Sequence, residues 1–73
     1  MLEIHIDGEY ITLGQFLKML GLIQSGGEAK YFLQENKVTV NNENENRRGR
    51  KLFINDIIYI NDKTQYQIKN SEE

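Results

Sequence analysis

The sequence contains no cysteine, no proline and no tryptophan, and His5 is its single histidine. Without cysteine the chain can form neither a disulfide nor a thiolate metal site, and one histidine cannot hold zinc by itself. No cysteine nucleophile and no pair of carboxylates in a core-like context are present either, so we expect neither enzyme activity nor a cofactor. At 73 residues the chain has room for one domain, which must rely on close packing of its apolar residues.

Long apolar runs are also missing. No run approaches the roughly 18 residues that a membrane-spanning helix needs, so no membrane span is predicted. The first residues, Met1 to Ile4, show no basic segment followed by an apolar one, which is the pattern of an export signal. A cytoplasmic location is therefore the expectation.

Positive charge is scarce overall but concentrated in the middle of the chain. The net charge is −2, which argues against a general polyanion binder. Residues 1–11 carry three acidic side chains and no Lys or Arg, and residues 52–73 carry four acidic side chains against two Lys. Residues 12–51 carry seven Lys and Arg against four Glu. This asymmetry bears on the choice of binding partner and not on the fold.

Hydrophobic periodicity predicts two short helices. Thr12 is a suitable N-cap with Gln15 as its capping-box partner, and Gly21 is a suitable end. Ser25 is a second N-cap with Glu28 as its box partner, and Asn36 is a plausible stop. Both helices carry apolar stripes at helical spacing, which are Leu13, Phe16, Leu17 and Leu20 in the first and Ala29, Phe32 and Leu33 in the second.

Alternating or β-branched segments predict short strands on both sides of the helix pair. They lie at residues 2–6, 38–40 and 57–60, with 52–54 returning to the core and a last edge strand around Tyr66 and Ile68. Residues 70–73 are expected to fray. The predicted fold class is α+β, with a two-helix motif packed on a small, mostly antiparallel β-sheet.

Several short motifs stand out between residues 13 and 60, namely Leu20-Gly21-Leu22, Val38-Thr39-Val40-Asn41 and Asn55-Asp56-Ile57-Ile58. Through these motifs residues 13–60 resemble the αL RNA-binding domain that is named for small-subunit ribosomal protein S-four. The small stand-alone bacterial members, the YaaA and YbcJ type, are more similar still. They share Ser25-Gly26-Gly27-Glu28-Ala29-Lys30 and Arg47-Arg48-Gly49-Arg50-Lys51-Leu52. The resemblance implies a single RNA-binding domain over residues 1–73, with its core motif at 12–60.

The basic run Arg47, Arg48, Arg50 and Lys51 is the foremost candidate for RNA contact. Arginine presents a planar fork of donors to phosphate oxygens, and Gly49 lets the backbone approach a ligand closely. The competing interpretation is a solvated loop neutralised by Glu43 and Glu45.

Further candidates lie on and near the helices. Lys18 and Lys30 lie off the apolar stripes and could border one groove, and Lys37 could extend the basic surface. Ser25, Gly26 and Gly27 start a helix whose free N–H groups can bind a phosphate, or they simply form a capped helix start. Tyr31 could stack on a base, although partial burial is the favoured interpretation, and we expect Asn41 to shape a turn and His5 to be exposed.

The basic run and the resemblance together predict a monomeric, non-catalytic module that binds structured RNA. The resemblance implies ribosomal RNA, the ribosome or an assembly factor as the partner. Shape and backbone would be recognised, because side chains cannot read the deep groove of an A-form helix. The alternative is a protein-docking module that uses the same basic stripe on an acidic partner.

Overall fold

The computed structural model describes residues 1–72, and the chain alternates short strands with one helix pair. The elements are β1 Leu2–Ile6, β2 Tyr10–Thr12, α1 Leu13–Met19, α2 Gly26–Glu35, β3 Val38–Val40, β4 Glu43–Asn44, β5 Lys51–Phe53, β6 Ile57–Ile60 and β7 Thr64–Asn70. The predicted α+β fold with a mostly antiparallel sheet is confirmed. No helix within the described range is long and apolar enough to cross a membrane.

Helix α1 has both of its predicted ends. The Gln15 N–H donates to the Thr12 hydroxyl at 3.2 Å, and the Thr12 N–H donates to the Gln15 side chain at 2.8 Å. This reciprocal capping box satisfies N–H groups that have no partner inside the helix. Beyond the last turn Gly21 has φ of +76°, a left-handed conformation that costs glycine little.

Helix α2 starts differently from the prediction. Ser25 stands at the N-cap position, but its side chain makes no capping hydrogen bond. The Glu28 carboxylate instead accepts from the Gln24 N–H at 3.3 Å, so the predicted second capping box is wrong. The end is as predicted, because the backbone N–H and the side-chain amide of Asn36 both donate to the Phe32 carbonyl.

The main sheet has the strand order β1-β7-β6-β3-β4. Strand β7 pairs with β6 in antiparallel and with β1 in parallel fashion, so it lies inside the sheet and the predicted edge position is wrong. Its pairing extends to Asn70, and the Ser71 N–H donates to the Ile6 carbonyl at 2.9 Å. The expected fraying of residues 70–73 therefore does not hold for Asn70 and Ser71, and residue 73 lies outside the described range.

The helix pair covers one side of the core, and β2 pairs with β5 in a separate two-stranded sheet. Phe16 from α1 is fully buried and meets Tyr66 of β7 edge to face at 5.4 Å between ring centroids. In the small sheet Leu52 is buried, but Phe53 points outward and is 48% exposed, so its predicted return to the core is wrong. Of the connecting residues 22 and 23, only Ile23 is buried.

Candidate nucleic-acid interface

The basic segment, residues 47–51, is fastened by its backbone to the start of α1. The Arg50 carbonyl accepts from the Leu13 N–H and the Arg48 carbonyl accepts from the Gly14 N–H, both at 2.8 Å. A Cβ at Gly14 would stand 3.4 Å from the Arg48 carbonyl oxygen, an ordinary van der Waals contact, so the approach does not depend on glycine. The segment thereby satisfies donors that the first helical turn leaves free. A stretch with almost no apolar side chains consequently has a defined path.

Glu45 binds two arginines of the basic segment from a buried position. Its side chain is only 5% exposed, and its carboxylate accepts from the Nε and Nη2 atoms of Arg47 at 2.9 and 3.0 Å. The same carboxylate accepts from Arg50 Nη1 at 2.7 Å and from the Arg47 backbone N–H at 3.1 Å. The guanidinium of Arg47 nevertheless stays 72% exposed. Because the buried carboxylate orients both side chains, they are held in place before any ligand arrives.

These contacts shift the ionisation of both partners. The hydrogen bond from the Arg47 side chain is the largest cause that lowers the pKa of Glu45, and Arg50 lowers it further against the opposing effect of burial, to about 2. The reciprocal hydrogen bond to Glu45 raises the pKa of Arg47. The carboxylate is therefore ionised at any physiological pH. The competing interpretation is a solvated loop whose positive charge Glu43 and Glu45 neutralise. Glu45 does neutralise part of that charge, but it does so from a buried position.

A pH-dependent stability difference should follow from this pair. A carboxyl group with a lowered folded-state pKa stabilises the fold above its ordinary pKa of 4.5, and the stabilisation is lost as the pH falls towards about 2. Glu45→Gln mimics the protonated group. We expect the wild type to be more stable than this variant at pH 7 by about 2 kcal/mol, after allowing for solvent screening at Arg47. Urea unfolding at several pH values should show the difference shrinking between pH 4.5 and 2.

Glu43→Gln is the matched control for that experiment, because Glu43 is an exposed carboxylate two residues earlier. Its free energy of unfolding at pH 7 should differ from that of the wild type by less than about 0.5 kcal/mol, as is usual for an exposed position. A Glu45→Gln difference that stays constant down to pH 2 would contradict the assigned pKa direction.

Arg48 lies between two clefts that border the helix pair. Its guanidinium donates to the Gly26 carbonyl at 3.1 Å and so bridges the basic segment to the start of α2. On one side is the helix cleft, whose lining includes Lys18, Gly26, Arg48 and Gly49. On the other is the Tyr31 cleft, lined by Gly27, Lys30, Tyr31, Asn46 and Arg48. Lys18 and Lys30 therefore border adjoining clefts rather than one groove.

Four of the predicted contact residues carry charges that no acidic side chain neutralises. Among residues 1–72, no carboxylate lies within 4 Å of the cationic groups of Lys18, Lys30, Arg48 or Lys51. Lys37 differs, because its ammonium group binds Asp62 at 3.1 Å. It lines a further cleft that shares Asn46 with the Tyr31 cleft. The unneutralised charge thus gathers around Arg48, with Lys37 at its margin.

The glycines at the start of α2 are open to a ligand. No heavy atom lies within 4 Å of the Cβ position of Gly26, and Gly27 has only the Ser25 hydroxyl oxygen at 4.0 Å.

Tyr31 is 66% exposed, so the expected partial burial is wrong and its ring is available beside Lys30 and Arg48. Asn41 shapes a turn as predicted: its φ is +51°, and its side chain bonds both Asp56 and the Ile57 N–H.

Sequence reasoning missed three contributors to this surface. The buried position of Glu45 was not foreseen, although an acidic residue two and five positions before two arginines is a usable signal. Asn46 lines the Tyr31 cleft, and nothing in its sequence context marks it. Phe53 lines a fourth cleft with Arg47, Gly49, Arg50 and Lys51, here called the Phe53 cleft. Strand alternation could have placed its ring outside, because the preceding Leu52 points inward.

A helix pair joined to a fixed basic segment on a small α+β domain is the architecture of an RNA-binding domain family. The S4 domain model matches residues 4–69, and the chain belongs to this family, which confirms the resemblance in the sequence. Over 67 residues the chain is 55% identical to a protein of Bacillus subtilis (strain 168), "Probable ribosome maturation protein RlbA". That alignment covers 92% of this chain and 94% of the relative.

Proposed function

We propose that this protein is a non-catalytic module that binds structured RNA through its basic segment and helix pair. The contact residues are the predicted set, namely Arg47, Arg48, Arg50, Lys51, Lys30, Lys37, Lys18, Ser25, Gly26 and Gly27. Membership of the S4 domain family supports RNA as the ligand class. That residues 1–73 form one such domain, acting as a monomer, is part of this proposal.

One observation carries the proposal most strongly. Lys18, Lys30, Arg48 and Lys51 have no carboxylate within 4 Å among the described residues, in a protein whose net charge is negative. They line adjoining clefts around the basic segment, which hydrogen bonds to α1 hold in place. Cations that project from a backbone of defined path suit the phosphates of a folded RNA, which are themselves fixed in space.

The cellular context is inferred from the relative. The name of the Bacillus subtilis protein assigns it to ribosome maturation, and the two chains align over nearly their whole lengths. We therefore propose ribosomal RNA as the structured RNA, contact with the ribosome or an assembly factor, and a cytoplasmic location. Binding of this kind needs no reacting side chain, which agrees with the proposed lack of catalysis.

Salt dependence is the direct test. If about four phosphates are contacted, the logarithm of the affinity should fall with the logarithm of salt concentration at a slope of about −3 to −4, because each contact releases condensed counterions. We would titrate fluorescently labelled fragments of ribosomal RNA with the wild-type protein between 50 and 200 mM salt. The expected loss of affinity over this range is about 100-fold.

A flat salt response, or no binding to any fragment, would contradict the proposal. The protein-docking alternative makes a different prediction, since an acidic protein partner should remain bound in a lysate treated with nuclease. Loss of all partners after nuclease treatment, together with the steep salt slope, would leave RNA as the ligand.

A further inference from the structure

Two aromatic side chains lie exposed next to the basic segment. Tyr10 and Phe53 are direct partners in the β2–β5 pair, with ring centroids 5.7 Å apart and ring planes tilted by 51°. The two rings are 41% and 48% exposed. Their neighbours Ile11 and Leu52 form the next pair in the register and point to the opposite face, where Leu52 is fully buried. The outer face of this small sheet is thus an aromatic surface that contributes little to the core.

Positively charged side chains lie next to one side of these rings. Lys51 Nζ lies 4.9 Å from the centroid of the Tyr10 ring, a cation–π contact that covers part of Tyr10. Phe53 instead lines the open Phe53 cleft, whose other walls are Arg47, Gly49, Arg50 and Lys51. Among residues 1–72, Glu45 is the one carboxylate that pairs with any of these cations, and it binds Arg47 and Arg50 but not Lys51. An apolar protein segment would gain nothing from the cations around Phe53. A nucleotide has both a base to stack on the ring and a phosphate to bind these cations.

The geometry points to a binding site for one unpaired nucleotide of the RNA, with its base stacked on Phe53 and its phosphate held by Lys51 and Arg47. This inference rests on the proposed function and refines it, because it requires an RNA in which a helical part adjoins an unpaired base. Every base has a π-face, so the site would accept any of the four bases. No heavy atom lies within 4 Å of the Cβ position of Gly49, which leaves the cleft open beside the ring.

A pair of hairpin RNAs with the same stem tests the site. One hairpin ends blunt, and the other carries a four-nucleotide overhang that contains 2-aminopurine, whose fluorescence is quenched on stacking. The wild type should bind the overhang RNA about tenfold more tightly than the blunt RNA and quench the probe, because stacking one base contributes a factor of roughly 5 to 150 in affinity. Phe53→Leu keeps an apolar side chain but removes the ring. Its affinity for both hairpins should equal the affinity of the wild type for the blunt hairpin, and it should not quench the 2-aminopurine fluorescence.

Phe53→Tyr is the matched control, since it retains a ring and should retain the preference and the quenching. Urea unfolding of each variant establishes that the fold is intact. Equal affinity of wild type and Phe53→Leu for the overhang RNA would overturn the stacking site and leave the proposed function standing, provided that binding stays salt-dependent. Failure of the wild type to bind either hairpin would overturn the proposed function itself, and the stacking site with it.

Discussion

Replacing Arg47 and Arg50 together by Gln is expected to lower the free energy of unfolding by about 2–3 kcal/mol. The reason lies in Glu45, whose side chain is 5% exposed and whose partners among residues 1–72 are these two arginines. Removing both cations leaves a buried carboxylate without charge compensation, which is among the costlier changes a small domain can suffer. A domain of this size has a total stability of only about 3–5 kcal/mol. The thermal midpoint should fall by roughly 10–20 °C.

The triple variant Glu45→Gln, Arg47→Gln, Arg50→Gln provides the control, because it removes the buried charge as well as its partners. It should recover most of the lost stability. Thermal and urea unfolding of the three proteins measure the effect. The prediction is wrong if the double variant is as stable as the wild type, or if the triple variant is no more stable than the double one. Either result would mean that the two arginines do not offset the cost of burying the Glu45 charge.

This coupling changes how the basic run has to be tested. Substituting all of residues 47, 48, 50 and 51 would mix a loss of RNA contacts with a loss of stability, since two of the four side chains neutralise a buried carboxylate. The cations without a carboxylate partner neutralise no buried charge, so their substitution reports mainly on binding, once urea unfolding has shown that the loss of the Arg48 bond to the Gly26 carbonyl leaves the fold intact. Arg48 and Lys51 belong to the basic run, and Lys30 and Lys18 extend it onto the helices.

Local sequence signals predicted the elements of this fold well. The Thr12 and Gln15 capping box, the glycine after α1 and the Asn36 stop all act over three or four residues, so they can be recognised without a tertiary structure. The turns at Asn41, Asn42 and Asn55 adopt positive φ, as expected for a residue that tolerates the left-handed region. Short-range chemistry therefore accounts for the course of both helices and for most strands, but not for the capping at the start of α2 or for β4.

Long-range pairing could not be predicted in the same way. Strands β1 and β7 come from opposite ends of the chain, and their alternation says which face is buried but not which strand lies beside them. The predicted edge strand thus became an interior one. The burial of Glu45 also results from long-range contacts. The Glu45 N–H donates to the Val38 carbonyl of β3, and α1 anchors the basic segment that follows Glu45.

Changing Lys18, Lys30, Arg48 and Lys51 together to Gln is expected to produce the largest loss of RNA affinity, about 100-fold at 50 mM salt. Each lost phosphate contact also removes the release of condensed counterions, so the salt slope should fall from about −3 to −4 towards zero. Stability should change little, because substitutions at exposed positions outside the core usually alter it by less than about 0.5 kcal/mol. Titration of the same ribosomal RNA fragments at 50 and 200 mM salt gives both quantities.

Net charge alone could reduce binding, and a pair of double variants separates that effect from local contact. Lys30→Gln with Arg48→Gln removes two charges at the Tyr31 cleft, while Lys63→Gln with Lys69→Gln removes two from the β6–β7 turn and from β7. Both pairs lower the net charge equally. The first pair should lose about two units of salt slope and the second almost none, because only phosphates in contact release their counterions on binding. Equal losses in the two pairs would mean that the RNA responds to the overall charge of the protein, and the clefts around Arg48 would then have no special role.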